Sequence, residues 1–510
     1  MSNNKTIAKN TIVLYFRTIL TMVISLYTSR VILEKLGVDD YGIYQAVGGI
    51  VGFLSFLNGA ISNGSSRFLT YELGTGNKEK LKKTFSTLLT AHIIIALIVV
   101  VIAETGGLWF VNKEMVIPAD RYSAAIYTYH ISIITAVFAL VLVPFNALII
   151  AHERMTVFAY ISIVEAAAKL GICYLLVVSD ADKLMVYATL MLILQICLTL
   201  FYKYYCNKNF EESRYKFIMD KGILKPVLSF SGWALFSNAS MAFAGQGILV
   251  LLNMFFAPAI VSARAISLQV SHAAYQFVSN FRTAANPQIV KLYAVKDYEG
   301  SKRLLLQSTK FSYYLMLALA VPIFFLADPL LHIWLGDNVP PYTVPFVKIV
   351  IIQCLFQVFD ASLYIPLYAK GQIKENALLS PLLEFIAFPI VYLLFKLGFS
   401  PIALSWAYLV VFFLLGVVVK PILLVKIVDY NWGELIKMFS SCFLVSVIAI
   451  IPSFLIDGLF DSSSVLNFFI EATILVVIVC LVVYSLGLDK EMKDKLNHII
   501  LKKINSRTNE

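Results

Sequence analysis

Fourteen long runs of apolar residues, separated by short polar segments, organise this chain. Each run is close to the length of about 20 residues that an α-helix needs to cross the hydrocarbon core of a bilayer. The pattern therefore predicts an all-α, polytopic membrane protein with fourteen transmembrane helices, of which the second, seventh and eighth are the most polar. The runs lie near 7–33, 41–63, 85–104, 122–150, 156–178, 184–206, 227–252, 257–281, 304–327, 343–369, 377–397, 401–425, 438–456 and 467–486.

The composition agrees with lipid as the solvent. Only 14% of the residues are charged, 59% are hydrophobic, and the mean hydropathy is +0.81. A soluble domain carries roughly 25% charged residues, so this composition excludes a water-soluble globule. The first run is longer than the core of a signal peptide and has no clear cleavage site, so we expect it to stay as a membrane anchor.

Lysines and arginines are distributed unequally between the two alternating sets of loops. Of the 41, 31 fall on one side, and 7 fall on the other side, where acidic residues such as Asp39 and Asp182 predominate. Because cytoplasmic loops are enriched in Lys and Arg, we expect a bacterial cytoplasmic-membrane protein with both termini in the cytoplasm. The net charge of +10 reflects this bias, and no basic domain suggests a nucleic-acid partner.

The chain repeats itself weakly. Residues 171–176 (GICYLL) match 389–394 (PIVYLL), and Glu165 matches Glu384 a few positions earlier. This shared offset predicts two parallel six-helix repeats, an arrangement in which transporters bind substrate between their halves. We expect six-helix lobes at 1–206 and 227–426, a cytoplasmic connecting loop at 207–226, two additional helices at 427–486 and a basic cytoplasmic tail at 487–510.

Three basic residues remain inside the runs: Arg17, Lys169 and Arg264. Arg17 lies about ten residues into the first run, which is roughly mid-bilayer at 1.5 Å per residue. Charges at such depth are costly and usually face a bundle interior or a wet cavity, so we expect Arg17 and Arg264 to line a cavity. For Arg67 and Arg282, at the inner ends of the second and eighth runs, snorkelling to the inner leaflet and a cavity position both stay open.

Acidic residues inside the runs are candidates for ion coupling. Glu165 and Lys169, four residues apart, form either an intrahelical ion pair that lowers the cost of insertion or a coupling site beside the substrate path. Glu384 matches Glu165 but has no basic residue four positions later, so it is not simply the same pair. Asp360 in the tenth run is a further coupling candidate.

Small or polar residues recur at helical spacing on one face of the second run. Such residues allow helix backbones to approach closely, and they equally suit the wall of a cavity, so both interpretations stay open. A shorter polar face, Thr21, Ser25 and Thr28, follows Arg17 on the first run. The face on the second run consists of Gln45, Gly48, Gly52, Ser55, Gly59 and Ser62.

No catalytic pattern is present in the sequence. There is no Ser/His/Asp set, phosphate-binding glycine loop, Walker motif or spacing of metal ligands, so we expect neither an enzyme nor a cofactor or metal site. Deep arginines between two membrane halves instead suit an anionic substrate. Guanidinium groups pair with phosphate in bidentate geometry and stay charged at any working pH.

Four short segments carry a resemblance to a known family. They are 28–42 (TSRVILEKLGVDDYG), at the first helix and turn; 64–67 (GSSR), before the basic inner loop; and 144–147 (PFNA) with 151–155 (AHERM), at the junction of the fourth and fifth helices. Together with the doubled six-helix plan, they resemble the polysaccharide flippases of the multidrug/oligosaccharidyl-lipid/polysaccharide exporter superfamily.

The resemblance implies export of a polyprenyl-diphosphate-linked oligosaccharide, as in O-antigen or other lipopolysaccharide biosynthesis, from the inner to the outer leaflet. We expect two lobes in a V around a cationic cavity, where Arg17, Arg264, Arg67, Arg282 and Arg30 hold the diphosphate while the prenyl tail stays in membrane lipid. We also expect H⁺ or Na⁺ as the coupling ion and glycan polymerases as partners.

Three alternatives stay open: a multidrug or small-solute antiporter of the same fold, a lipid-linked peptidoglycan-precursor flippase, and a membrane enzyme such as a glycan polymerase or ligase. Cationic drugs favour an acidic cavity, whereas the mid-membrane basic residues here outnumber the clear acids. A membrane enzyme is expected to carry a sizeable outer loop, and no outer loop in this chain is long.

Overall fold

A computed structural model describes residues 2–54, 56–178, 180–372, 374–456, 464–490, 493 and 494, with the backbone alone at 2–15, 57–61, 63, 64, 228–235, 237, 283 and 284. Nearly all of the described residues are helical, and none of them lies in a strand. The predicted all-α, polytopic membrane fold is confirmed.

Twenty α-helices are described, and four π-helical turns interrupt or extend them within the described ranges. Such turns are rare and are frequent at functional sites. The π turns are Ala103–Gly107 between α4 and α5, Phe243–Gly247 between α9 and α10, Leu414–Val419 between α17 and α18, and Val483–Gly487 after α20. The helices are α1 (Ser2–Leu36), α2 (Val38–Phe53), α3 (Phe56–Thr75), α4 (Lys78–Ile102), α5 (Leu108–Glu114), α6 (Tyr122–Ala151), α7 (Met155–Leu175), α8 (Lys183–Asn209), α9 (Lys221–Ala242), α10 (Ile248–Phe255), α11 (Pro258–Ala294), α12 (Tyr298–Phe325), α13 (Ala327–Leu335), α14 (Thr343–Leu363), α15 (Ile365–Lys370), α16 (Lys374–Lys396), α17 (Ala403–Phe413), α18 (Lys420–Val428), α19 (Trp432–Ile456) and α20 (Val465–Val482).

Twelve stretches of the described helices are long and apolar enough to cross a membrane. They correspond to all the predicted runs except 41–63, which falls in α2 and α3, and 257–281, which falls in α11. Both exceptions are helical: α2 is only 16 residues long, and α11 carries polar and charged residues such as Arg264, Gln269 and His272. The sequence pattern therefore located the helices correctly where hydropathy alone does not mark them as spans.

The described helices cluster into two compact units. Unit 1 takes the described residues within 1–266, 334–343 and 384–403, and unit 2 takes those within 267–333, 344–383 and 404–510. The six-helix repeat and its boundaries stay a prediction. Most of the basic tail at 487–510 lies outside the described residues.

Each unit has its own core of aromatic and aliphatic side chains. In unit 1, Phe85 on α4 meets Phe145 on α6 edge-on, with ring centroids 5.3 Å apart. In unit 2, Tyr313 on α12 stacks on Phe359 on α14 at 4.8 Å, and its hydroxyl shares a 2.8 Å hydrogen bond with Ser446 Oγ on α19. Aromatic pairs contribute stability beyond the burial of their surface. They therefore help to stabilise the packing of the helices within each unit.

A close backbone contact in unit 1 positions the start of α11. A Cβ atom on Gly42 of α2 would stand only 2.0 Å from the carbonyl oxygen of Pro258. One turn along α11, Ser262 Oγ donates to the carbonyl oxygen of Val38 at 2.6 Å. Only glycine permits such an approach, so α2 and the segment of α11 that carries Arg264 are tightly joined.

Candidate functional site

Arg17 lies near the middle of α1, fifteen residues after the first residue of the helix. Its guanidinium carbon stands 4.9 Å from the ring centroid of Phe158 on α7. The side chain is half-buried, and its Nε atom is buried without a hydrogen-bond partner among the described residues. Because buried donors are nearly always satisfied in folded proteins, this N–H group is available to a ligand.

The ion pair predicted on α7 is present. Lys169 Nζ donates to Glu165 Oε1 at 2.6 Å, and both side chains are about one-third to two-fifths exposed, at 41% and 35%. Buried Tyr202 on α8 lies within electrostatic reach of both Glu165 and Arg17. Lys169 therefore already neutralises Glu165, whereas Arg17 has no carboxylate at ion-pairing distance among the residues that the structure describes.

The polar face that follows Arg17 on α1 is occupied by its own helix. Thr21 Oγ1 donates to the carbonyl oxygen of Arg17 at 2.8 Å, and Thr28 Oγ1 donates to that of Ile24 at 2.7 Å. Hydroxyl groups bonded back to the preceding turn are satisfied locally. These two hydroxyls are therefore satisfied within α1, whereas Arg17 Nε has no hydrogen-bond partner among the described residues.

Unit 1 contains a cavity of about 330 Å³ whose wall, among the described residues, offers hydrogen-bonding groups but no charged side chain. Gln45 on α2, Ser132 and Thr135 on α6, and Gln246 in the π turn Phe243–Gly247 contribute the polar atoms. Small-molecule sites are typically apolar clefts with a few placed polar groups. The wall is therefore mostly apolar, with a few uncharged hydrogen-bonding groups.

The small-residue face of α2 serves both purposes that the sequence left open. Gly52 packs on the side chain of Gln246, where an added Cβ would stand 3.4 Å from its Cγ. Gly48 instead faces open space, because an added Cβ there would meet no atom within 4 Å. Ser55 lies outside the described residues, and Gly59 is described by its backbone alone.

The other predicted site residues of unit 1 occupy separate environments. Arg30 is half-buried on α1, thirteen residues beyond Arg17, a separation of about 20 Å that one diphosphate does not span. Arg67 on α3 is exposed, and Glu384 on α16 is half-buried. Arg264 on α11 is only 2% exposed. These four residues all have polar or electrostatic partners within the protein.

A clamp of one arginine and two aspartates joins three helix starts in unit 1. Arg121 donates to Asp40 through Nε (2.8 Å) and Nη2 (2.6 Å), and to Asp182 through Nη1 (2.5 Å) and Nη2 (3.2 Å). Asp182 Oδ1 also caps α8 by accepting from the N–H groups of Leu184 and Met185. Burial raises the pKa of Asp182, but the bonds from Arg121 and these amides outweigh it and lower that pKa.

Unit 2 contains a buried charged cluster that we call the Lys420 cluster: Asp360, Asn376, Ser380 and Lys420. Lys420, the first residue of α18, is 2% exposed. Its ammonium group lies 3.0 Å from Asp360 Oδ1 on α14, and it donates to Ser380 Oγ at 3.0 Å and to Asn376 Oδ1, both on α16. Three side chains from two other helices therefore enclose the Lys420 ammonium group.

Arg282 extends this polar region along α11. Its Nη2 donates to the hydroxyl of Tyr275 at 2.8 Å, and its side chain is 9% exposed. Tyr275 in turn lies within electrostatic reach of Asp360. The structure thus brings together two residues that the sequence proposed for different roles, Arg282 for the substrate and Asp360 for coupling.

Comparisons with protein-family models and with curated protein sequences find no match. Solved structures do match. The lipid II flippase MurJ in an inward closed conformation has a TM-score of 0.72 and 14% identity, covering 93% of this chain and 99% of that chain. An inward-facing multidrug resistance MATE family transporter of the MOP superfamily has a TM-score of 0.66 and 12% identity, covering 80% and 95%.

This chain has the fold of the MOP-superfamily transporters. The MATE multidrug transporter DinF-BH agrees, with a TM-score of 0.60, 16% identity and coverage of 83% of this chain and 95% of that chain. At such identities the likeness establishes the fold. The expected all-α membrane fold is confirmed, and the names of these three neighbours describe transporters or flippases.

Two polar features, one in each unit, were not identified from the sequence. Lys420 lies near the end of the twelfth run, and Asn376 and Ser380, four residues apart, form one polar face at the start of the eleventh run. Gln246 lies inside the seventh run and lines the unit 1 cavity. An isolated polar residue in an apolar run was the available signal in both cases.

Proposed function

We propose that this protein translocates a polyprenyl-diphosphate-linked oligosaccharide across the cytoplasmic membrane for the synthesis of a surface polysaccharide. The observation that carries the proposal is Arg17: a cation near the middle of α1 with an unsatisfied buried donor and no carboxylate partner among the described residues. Such a group favours an anion over a cationic drug, and a diphosphate accepts the bidentate hydrogen bonds that guanidinium offers.

The uncharged cavity of unit 1 supports the glycan part of the proposed substrate. Its amide and hydroxyl groups, at Gln45, Gln246, Ser132 and Thr135, match the hydrogen-bonding of sugar hydroxyls. A cavity for lipophilic cations would instead be expected to present carboxylates. In the proposed cycle, Arg17 holds the diphosphate, sugars enter the wet cavity, and the prenyl tail remains in membrane lipid.

Coverage of the solved neighbours also supports a lipid-linked substrate. The flippase match spans 93% of this chain, whereas the two MATE matches reported above span 80% and 83%. MurJ is by its name a lipid II flippase, so a lipid-linked peptidoglycan precursor is the second candidate substrate. Both candidates carry a glycan on a lipid, and Arg17 suits the phosphate groups of either.

The remaining expected site residues belong to the same proposal. Arg264, Arg67, Arg282 and Arg30 would contact the diphosphate at other stages of an alternating-access cycle, since Arg264 is enclosed in this conformation. Coupling to H⁺ or Na⁺ is proposed through the acidic residues, with Glu165 neutralised by Lys169 at 2.6 Å as the weaker candidate. Glycan polymerases stay proposed partners.

The test is deletion of the gene in its bacterium, followed by measurement of lipid-linked glycans in each leaflet. Deletion should accumulate the glycan in the inner leaflet. Complementation with Arg17→Ala should restore export at a rate about 10- to 100-fold below wild type, because a charged hydrogen bond contributes about 1.5–3 kcal/mol. Arg17→Lys keeps the positive charge but loses the bidentate geometry of the guanidinium group. Its export rate should fall between those of Arg17→Ala and wild type.

Arg154→Ala is the matched control, because it removes an exposed arginine at the start of α7. It should restore export fully. Full export by Arg17→Ala would refute the anion site, and resistance to cationic drugs without glycan accumulation would favour the antiporter. Rescue of cells depleted of their own lipid II flippase would identify the peptidoglycan precursor instead.

A further inference from the structure

A cavity that lies wholly within unit 2 has a charged wall that the proposed function does not use. Its volume is about 400 Å³, and its wall comes from the first turns of α12, the start of α19 and the chain after α20. We call it the α12–α19 pocket. Its described lining carries three carboxylates and four cations, which are Lys302, Arg303, Lys310 and Lys437. The wall therefore has a net positive charge.

Two of these cations already have a carboxylate partner in the pocket. Lys302 Nζ donates to Glu299 Oε1 at 3.2 Å, one turn away on α12. Lys310 Nζ lies 3.7 Å from Asp489 Oδ1, so it links α12 to the chain after α20. Each pair is neutral as a whole. The charge available to a ligand therefore comes from the other two cations.

Arg303 on α12 and Lys437 on α19 are these two cations. Both are exposed, and neither has a carboxylate at ion-pairing distance among the residues that the structure describes. Glu434, one turn before Lys437, is the third carboxylate of the wall and is also outside ion-pairing distance of any described cation. Guanidinium and ammonium groups together suit a phosphate group. The unpaired charges thus match a ligand with one net negative charge.

One buried tyrosine fixes the three elements of the wall against one another. The hydroxyl of Tyr314 on α12 shares a 3.0 Å hydrogen bond with Ser441 Oγ on α19, and it donates to the carbonyl oxygen of Gly487 at 3.4 Å. Tyr314 lies one turn beyond Lys310, and Ser441 lies one turn beyond Lys437. The pocket is therefore held in shape by packing within the protein, without any ligand.

Helix length and aromatic residues indicate that the pocket lies at a membrane surface. α12 has 28 residues, or about 42 Å at 1.5 Å per residue, which exceeds the hydrocarbon core of about 30 Å. Exposed aromatic side chains stand at the same ends of the three elements: Tyr298 on α12, Trp432 on α19 and Tyr484 after α20. Trp and Tyr are enriched at membrane interfaces. The charges of the loops predict that this surface is the cytoplasmic one.

An apolar helix face leads away from the pocket into the membrane. Ile436, Leu444 and Val447 are exposed on one face of α19, and Ile436 directly precedes Lys437 of the pocket wall. Acyl chains can lie along such a face while their phosphate stays at the pocket. A water-soluble phosphate compound gains nothing from it. The continuity of the charged pocket with this face therefore favours a lipid as the ligand.

We propose that the α12–α19 pocket binds the headgroup of an anionic phospholipid of the cytoplasmic leaflet, with its phosphate between Arg303 and Lys437. Basic pockets between membrane helices on the cytoplasmic side bind acidic lipid headgroups. Phosphatidylglycerol has the single negative charge that the wall requires, and its glycerol hydroxyls can donate to Glu434. This lipid is bound rather than transported, because α19 and the chain after α20 lie outside the two predicted six-helix repeats.

The test is native mass spectrometry of the full-length protein, freed of lipid in detergent and titrated with dioleoyl phosphatidylglycerol or dioleoyl phosphatidylethanolamine. Wild-type protein should bind one phosphatidylglycerol severalfold more tightly than phosphatidylethanolamine. The double variant R303Q/K437Q should bind phosphatidylglycerol about 25-fold more weakly, because each basic residue near an anionic lipid contributes about fivefold. Its affinity for phosphatidylethanolamine should change less.

K291Q/K426Q is the matched control. It removes two exposed cations of unit 2 that are predicted to face the same side of the membrane but do not line the pocket. The net charge changes by the same amount, and this variant should bind phosphatidylglycerol like wild type. If R303Q/K437Q does not fold, the single variants Arg303→Gln and Lys437→Gln should each weaken binding about fivefold.

Equal affinities of wild type and R303Q/K437Q for phosphatidylglycerol would overturn the proposal, and so would an equal loss in K291Q/K426Q. Equal wild-type affinities for the two lipids would refute the preference for an anionic headgroup. Displacement of the lipid by an equal concentration of glycerol phosphate would show that the pocket takes soluble phosphates instead. No glycan lipid is present, so failure of the proposed substrate would show in the leaflet assay alone.

Discussion

Arg121 binds two aspartates in unit 1, and its replacement by Gln tests whether it joins the starts of α2, α6 and α8. The change removes four hydrogen bonds of 2.5–3.2 Å at once, two to Asp40 and two to Asp182. It also leaves two carboxylates close together without a cation. Both effects act in the same direction, so we expect destabilisation.

The size of the effect follows from burial. The side chains of Arg121, Asp40 and Asp182 are 25%, 16% and 28% exposed. The clamp is therefore intermediate between a fully exposed and a fully buried ion pair. An exposed pair contributes about 0–1 kcal/mol, whereas removing one partner of a buried pair costs about 3–5 kcal/mol. For two partly screened pairs lost together, we expect about 2 kcal/mol.

Acidification should reduce this difference. The pKa of Asp182 is lowered in the folded protein, so its ionised form contributes stability above the unfolded pKa, and that contribution is lost as the pH falls through the folded value. Without Arg121, the main hydrogen bond that lowers this pKa is gone. The gap in melting temperature between wild type and Arg121→Gln should therefore narrow between neutral pH and about pH 3.

Thermal unfolding of the purified protein in detergent, followed by tryptophan fluorescence, measures both effects. Lys183→Gln is the control, because it removes an exposed cation next to Asp182 without touching the clamp. It should melt like wild type, and Arg121→Lys should recover part of the loss. An unchanged melting temperature for Arg121→Gln, or a gap that does not narrow in acid, would refute the assignment.

Four further substitutions test packing and the cavity. Gly42→Ala should destabilise unit 1, because the new Cβ would collide with the Pro258 carbonyl at 2.0 Å, whereas Gly48→Ala has no atom within 4 Å and should melt like wild type. Gly48→Leu should leave folding intact but reduce glycan export severalfold, because the side chain would fill part of the 330 Å³ cavity; wild-type export would place the glycan elsewhere. Tyr129→Phe should cost about 1 kcal/mol in thermal unfolding, because it removes the hydroxyl that donates to the carbonyl oxygen of Ala103 at 2.7 Å; an unchanged melting temperature would mean that this bond does not stabilise the π turn.

Local and periodic features of this protein could be predicted from its sequence. Twelve of the fourteen runs correspond to apolar spans, because the length of a membrane helix is set by bilayer thickness. The pair of Glu165 and Lys169 could be predicted because residues four apart on a helix are neighbours. Arg17 was singled out by its depth in the first run, and its role in binding a ligand stays a prediction.

Contacts between distant residues could not be predicted. Asp360 and Lys420 are sixty residues apart, and hydropathy places Lys420 at the end of a run, where a lysine normally reaches the membrane surface. Arg121 meets Asp40 and Asp182 only because three helices start at the same end of unit 1. The sequence pattern gives each residue a depth, but the packing of the helices decides which charges meet.

The π turn Leu414–Val419 has a consequence for changes in chain length. Each residue removed from a regular helix rotates everything beyond it by about 100°, so a deletion within α17 would turn Lys420 away from Asp360. A π turn carries an extra residue that the helix can lose while the flanking faces keep their alignment. A single deletion between Leu414 and Val419 should therefore be tolerated, and this part of the chain is where homologues can differ by one residue without losing the pair.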